Sequence, residues 1–222
     1  MAKKLTKKDY IDSRLLIRRN VISSAIAFKK LLGNYVLYVF DDNTYIEVFY
    51  RRTSFAHLTG VGTDLNAAEF YQKAISHQIS INQFKFGELH PYDLAKKKTS
   101  RLSEITKFTT NDLIVLQNVT TDSKTFKFGL TDTDFTLCFS ENLDKKTGEK
   151  IDDYYIPASF RVEDESIDRS NDCKFVKYIF IKKIKNSGYP ILSYGKFSNI
   201  SKLPENIKDK LDMELLKESI IA

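Results

Sequence analysis

From Leu113 to Tyr194 apolar residues recur at every second position in segment after segment, a period that commits this half of the chain to β-strands. Phe126, Phe128 and Leu130 alternate with polar residues or Gly, and Phe135, Leu137 and Phe139 do the same beyond the turn Thr131-Asp132-Thr133-Asp134. Leu113–Val119 and Tyr154–Val162 read as further strands, with Pro157 marking an edge or a bulge because it lacks an amide proton for the ladder. Asn142–Lys150 is a charged loop. Lys174–Lys185 places Val176, Tyr178 and Phe180 on one face, and Ile191–Tyr194 is the last expected strand.

The first half has a different period. Ile11, Leu15, Ile22 and Ile26 recur at helical spacing from Lys7 to Leu32, and Gly33-Asn34 supplies a stop. Tyr35–Phe40 and Thr44–Tyr50 flank Asp41-Asp42-Asn43 as a hairpin. Phe55–Thr63 is irregular, and Asp64 is the expected N-cap of a helix through Ala67, Phe70, Tyr71 and Ile75. Tyr92–Phe108 is another expected helix, with Leu94, Leu102 and Ile105 on one side, and Pro204–Ile221 a terminal amphipathic one. Helices early and an antiparallel meander late define an α+β chain. With no linker or repeat, residues 1–222 read as one domain: a basic N-terminal helix over 1–33, a core over 34–203 and a C-terminal helix over 204–222.

Hydrophobic residues make up 42% of the 222, with only 8 Gly and 4 Pro, so the chain has enough apolar surface to fold. The absence of Trp beside many Lys, Ile and Asn residues suggests an AT-rich genome. Lys and Arg total 35 against 29 Asp and Glu, and the excess is clustered. Arg14 and Arg18 lie in a basic stretch of the first thirty residues, and Lys96, Lys97, Lys98 and Arg101 form a second group. These six are candidate nucleic-acid contacts; the alternative is solvated helix faces. Cys138 and Cys173 have neither zinc-site nor disulfide-framework spacing. No apolar run approaches the ~20 residues of a membrane span, and no signal-peptide core follows the basic N-terminus, so the expected location is the cytoplasm, away from membranes.

Of the three histidines, His77 sits near a helix end and His90 precedes Pro91 in a loop. His57 is followed by Leu58-Thr59-Gly60 and then Gly62 before a helix start. Backbone amides and an imidazole could converge there to hold a phosphate, although glycines also permit a tight turn with no ligand. No carboxylates or histidines occur at a metal-binding spacing, and neither a phosphate-binding Gly-x-x-x-x-Gly-Lys loop nor a Gly-x-Ser-x-Gly elbow is present. No metal and no cofactor is expected.

The run Tyr45–Tyr50, then Phe55-Ala56-His57-Leu58-Thr59-Gly60-Val61, then Ala67-Ala68-Glu69-Phe70-Tyr71, resembles the phage and plasmid nuclease-like domains grouped with barnase, EndoU, colicin and RelE ribonucleases. Phe-x-His-Leu-Thr-Gly followed by an x-Phe-Tyr helix is the specific part, and Tyr155–Arg161 resembles a later strand of such domains. The resemblance implies N-terminal helices on a curved antiparallel meander and metal-independent cleavage of RNA through attack by the 2′-hydroxyl. It implies His57 as base or acid, Arg161 as the cation at the developing phosphorane charge, and Ser159, Thr59 and Tyr194 as phosphate-positioning groups. Each has a plainer role open to it: Arg161 beside acidic neighbours, Tyr194 in packing, Thr59 in a turn, Ser159 in a bulge. The expected function is an endoribonuclease of a phage, plasmid or other mobile element, with RNA as partner. The alternatives are a non-catalytic protein that inhibits or recruits a host or mobile-element protein, and a DNA-binding accessory factor.

Overall fold

The computed structural model describes residues 7–121, 124–144, 146–162, 165 and 168–218. In chain order the elements are α1 (Lys7–Lys29), β1 (Asn34–Phe40), β2 (Tyr45–Phe49), α2 (Phe55–Thr59), α3 (Ala67–Ile75), α4 (Tyr92–Arg101), β3 (Ile114–Thr120), β4 (Thr125–Thr131), β5 (Phe135–Leu143), β6 (Lys150–Val162), β7 (Asp172–Lys183), β8 (Ile191–Tyr194), α5 (Glu205–Lys208) and β9 (Lys217–Glu218). They form two compact units, residues 1–30 with 52–106 and residues 31–51 with 107–222.

The second unit corrects the expected open α+β meander. Its strands run β1-β2-β6-β5-β4-β3-β7, and β7 then pairs antiparallel with β1 from Asn34↔Lys183 to Phe40↔Val176. Seven strands therefore close into a barrel, with β8 and β9 as extra strands beyond β7. Closure removes the open edges that a meander would leave with unpaired amides and carbonyls. The sequence pattern could not show it, because alternation specifies a strand's faces and not its neighbours. The β2–β6 contact is parallel, through Val48↔Tyr155. Pro157 sits at a register shift opposite Cys138 and Phe139, the bulge reading of that residue.

On β1 the two parities serve two cores. Leu37 and Val39 pack with Tyr178, Phe180, Tyr189, Leu192, Ile200, Leu203, Ile207 and Leu211 from β7 and the C-terminal stretch. Tyr38 has the other parity; its hydroxyl donates to the Phe108 carbonyl at 2.9 Å and lies 3.0 Å from the Tyr50 hydroxyl, so two buried phenols satisfy each other. Phe108, Phe135 and Phe160 pack nearby in sequence-distant contact, with ring centroids 5.2–6.5 Å apart.

The expected terminal helix over 204–222 is also corrected. Only Glu205–Lys208 is α-helical, and 219–222 lie outside the described residues. The Tyr189 amide donates to Lys210 O and the Asp212 amide to Tyr189 O, so the backbone there bonds across to another segment and cannot continue a helix. Gly188 permits this approach, because a methyl group on it would lie 2.8 Å from the Asp212 nitrogen.

In the helical unit, the expected apolar stripe of α1 is not the buried one. Ile17, Val21, Ala25 and Phe28 are buried, whereas Ile11, Leu15 and Ile26 are 39%, 40% and 46% exposed; only Ile22 belongs to both sets. Spacing i, i+4, i+8, i+11 brings Phe28 to Phe55 (5.4 Å between centroids) and Tyr71 (6.1 Å), and burial of those rings outweighs that of the aliphatic stripe. The expected irregular stretch at Phe55 is helical as far as Thr59, and the helix expected from Asp64 starts at Ala67 with Asn66 as its cap, accepting from the Glu69 amide. The helix expected over Tyr92–Phe108 is α-helical only to Arg101 and then tightens into 3₁₀ turns. Among the described residues no helix is long and apolar enough to cross a membrane.

Candidate active site

Helix α2 has a single turn and one purpose that its burial pattern makes plain. Phe55, Leu58 and Thr59 face inward, so His57 on the opposite side is held out into solvent. Gly60 ends the turn at φ +70°, a conformation that side chains with a Cβ rarely adopt. Thr59 is fully buried; its hydroxyl donates to Ala56 O at 2.7 Å and accepts from the Val61 amide at 3.1 Å. It stitches the turn that carries His57.

Two other segments close on this turn, each at a glycine. A methyl group on Gly60 would lie 3.0 Å from Lys98 Cδ, so the aliphatic stem of Lys98 from α4 passes directly over Gly60. Lys98 is only 9% exposed. A methyl group on Gly62 would meet Lys85 O at 2.6 Å and His90 Cδ2 at 2.8 Å, while the Lys85 amide donates to Gly62 O at 2.7 Å. Gly87 and His90 exchange both backbone hydrogen bonds at 3.1 Å, forming a tight hairpin that presents His90.

The result is an open cleft of about 320 Å³ whose polar lining includes His57, His90, Lys98 and Thr63. Leu65, Leu89 and Leu94 belong to its apolar lining. Two exposed imidazoles on one concave surface can take up a proton and return one, and Lys98 adds a positive charge to the same lining. Among the described residues no three His, Cys, Asp or Glu side chains form a metal-binding group.

The remaining expected site residues are distributed differently. Ser159 and Arg161 are half-buried on β6 in the barrel unit, opposite Cys138 and Thr136. Tyr194 ends β8, where its hydroxyl donates to Asp112, and it lines a separate cleft with Asp112, Thr131, Asp132, Thr133 and Phe175. Arg14 donates to the Ile81 and Phe84 carbonyls at 2.7 and 2.5 Å, and Arg18 to those of Ile79 and His77 at 2.6 and 2.8 Å. Both guanidiniums thus cap the chain that follows α3. Arg101 forks onto Glu104, and Lys96 is exposed on α4. In the sequence His90 is a loop residue and Lys98 one of a basic run; the signal for their approach is the glycines opposite them, which does not say what approaches.

The helical unit thus gathers two histidines and a lysine around one cleft. The sequence matches, over residues 20–197, the model of the family described as phage-Barnase-EndoU-ColicinE5/D-RelE like nuclease4, and the chain belongs to that family. Neither a curated protein nor a solved structure matches it.

Proposed function

We propose that this chain is a metal-independent endoribonuclease of a phage, plasmid or other mobile element, with the His57–His90–Lys98 cleft as its active site. The convergence of those three side chains on one cleft, in a chain of a nuclease-like family, carries the reading. One imidazole takes the proton of a ribose 2′-hydroxyl as its oxygen attacks phosphorus, and the other protonates the departing 5′-oxygen. The Lys98 ammonium faces the charge that accumulates on the phosphorane oxygens. The products are a 2′,3′-cyclic phosphate and a 5′-hydroxyl end, and the cycle closes when the two imidazoles exchange their proton states. Thr59 acts through the turn that aims His57. His57, His90 and Lys98 suffice for this chemistry; Arg161, Ser159 and Tyr194 belong to the barrel unit.

The purified protein should cleave single RNA substrates in EDTA and leave 2′,3′-cyclic ends. His57→Ala and His90→Ala should each lower kcat at least a hundredfold, the low end of what acid–base catalysis contributes. Lys98→Met should lower kcat by roughly 10–1,000-fold, as removal of a charge-stabilising donor does. Full activity in both histidine variants, with folding verified by circular dichroism, rejects the reading.

A further inference from the structure

The barrel unit has a cleft of its own, opposite in sign to the chain as a whole. Ile114, the first residue of β3, pairs with Thr131 on β4 and with Phe175 on β7. That register gathers Asp112, the turn after Thr131 and the Phe175 ring around one opening of about 390 Å³, which Tyr194 also lines. The turn is pinned by side chains. The Thr131 hydroxyl donates to Phe135 O at 3.1 Å and accepts from the Thr133 amide at 3.0 Å, and Asp132 Oδ1 accepts from the amides of Asp134 and Phe135. Phe175 is 62% exposed, and among the described residues no other ring and no cation covers its face.

Elsewhere the carboxylates are neutralised: Asp42 by Lys174, Glu47 by Lys210 and Asp64 by Lys85. Asp112 and Asp132 are not. Asp112 Oδ1 accepts from the Tyr194 hydroxyl and Asp132 Oδ1 from the turn amides, which leaves each Oδ2 without a partner among the described residues. No Lys, Arg or His lines this cleft, although the chain carries a net charge of +6. Two unpaired carboxylates beside an uncovered aromatic face suit a planar cation. A guanidinium meets both, because its fork donates to carboxylate oxygens and its plane stacks on a ring. We infer that this cleft receives an arginine side chain of a partner protein. A nucleic acid does not suit it, since its phosphates would face the two carboxylates. The cleft belongs wholly to the barrel unit, so this inference goes beyond the nuclease reading and stands apart from it.

The test is amide NMR on the full chain, titrated with the blocked tripeptide Gly-Arg-Gly. The comparison is the same peptide with citrulline, which keeps the shape and removes the charge. Shifts should centre on residues 112–114, 131–133 and 175–176, and the citrulline peptide should bind at least about tenfold more weakly. Asp112→Asn and Asp132→Asn combined should weaken arginine binding by a similar factor while keeping the Oδ1 acceptors of the turn. Phe175→Ser should do the same, and Phe175→Tyr should restore binding. His57-dependent cleavage of RNA should be unchanged in the paired Asn variant, so either reading can fail alone. Equal binding of the citrulline peptide, shifts scattered over other acidic positions, or no shift at roughly 20 mM peptide overturns the inference. So does a response of the same amides to spermidine or to an RNA hexamer as strong as that to arginine.

Discussion

The His90 imidazole lies against the α-carbon of Gly62, so close that a methyl group there would come within 2.8 Å of its Cδ2 atom. The second glycine of the Thr-Gly-Val-Gly stretch is thus the seat of the second imidazole. Gly62→Ala must push back both His90 and the Lys85 carbonyl. We expect it to cost about 1–3 kcal/mol in stability, as overpacking does, and to lower kcat/KM for RNA by at least about tenfold. Gly87→Ala is the control, since nothing lies within 4 Å of its added methyl group. Urea midpoints and initial rates on the two variants check this.

Arg14 and Arg18, expected nucleic-acid contacts, bond through their guanidiniums to four backbone carbonyls between His77 and Phe84. Arg14→Met should destabilise the protein by about 1.5–3 kcal/mol, the range for hydrogen bonds to a charged group. Amide exchange should accelerate in residues 79–85. The salt dependence of RNA binding should stay unchanged, whereas Lys96→Gln should reduce its slope by about one if that exposed lysine meets a phosphate.

A pair of imidazoles working as acid and base requires one neutral and one protonated ring at the same moment. The pH profile of kcat/KM should therefore be bell-shaped, and each single histidine variant should retain only one limb of residual activity. A flat profile across the acid and neutral range would remove the pair from the mechanism.

Tyr38 and Tyr50 share a hydrogen bond inside the barrel unit, and burial raises both phenols above their ordinary value near 10. The fold holds them neutral while the unfolded chain ionises them at about 10. Their contribution is fully present below pH 10 and is lost as the pH rises beyond it towards the folded-state values. Urea midpoints should fall steeply above pH 10 in the native protein and less steeply in Tyr50→Phe, which at neutral pH should cost about 1 kcal/mol for the lost hydrogen bond.

The strands were legible because alternation is a local property: Ile191–Tyr194 stands where the pattern put it, and β1, β4 and β5 begin within a residue of it. The stripe of α1 was misread because Ile11, Leu15 and Ile26 satisfy helical spacing as well as Ile17, Val21 and Phe28 do, and only the presence of Phe55 and Tyr71 selects between them. His57 was singled out by its glycines. Its partners were not, since Gly60 and Gly62 announce a close approach without naming Lys98 or His90.

By itself the sequence determined the strands from β1 to β8 and the first helix, and its glycines drew attention to His57. The closing of β7 onto β1 and the meeting of His57, His90 and Lys98 were decided by the tertiary structure alone. The physical reason is range: dihedral preference and side-chain period act over a few residues, whereas a barrel seam between residues 34–40 and 176–183 and a cleft built from three segments exist only once distant surfaces have been buried together.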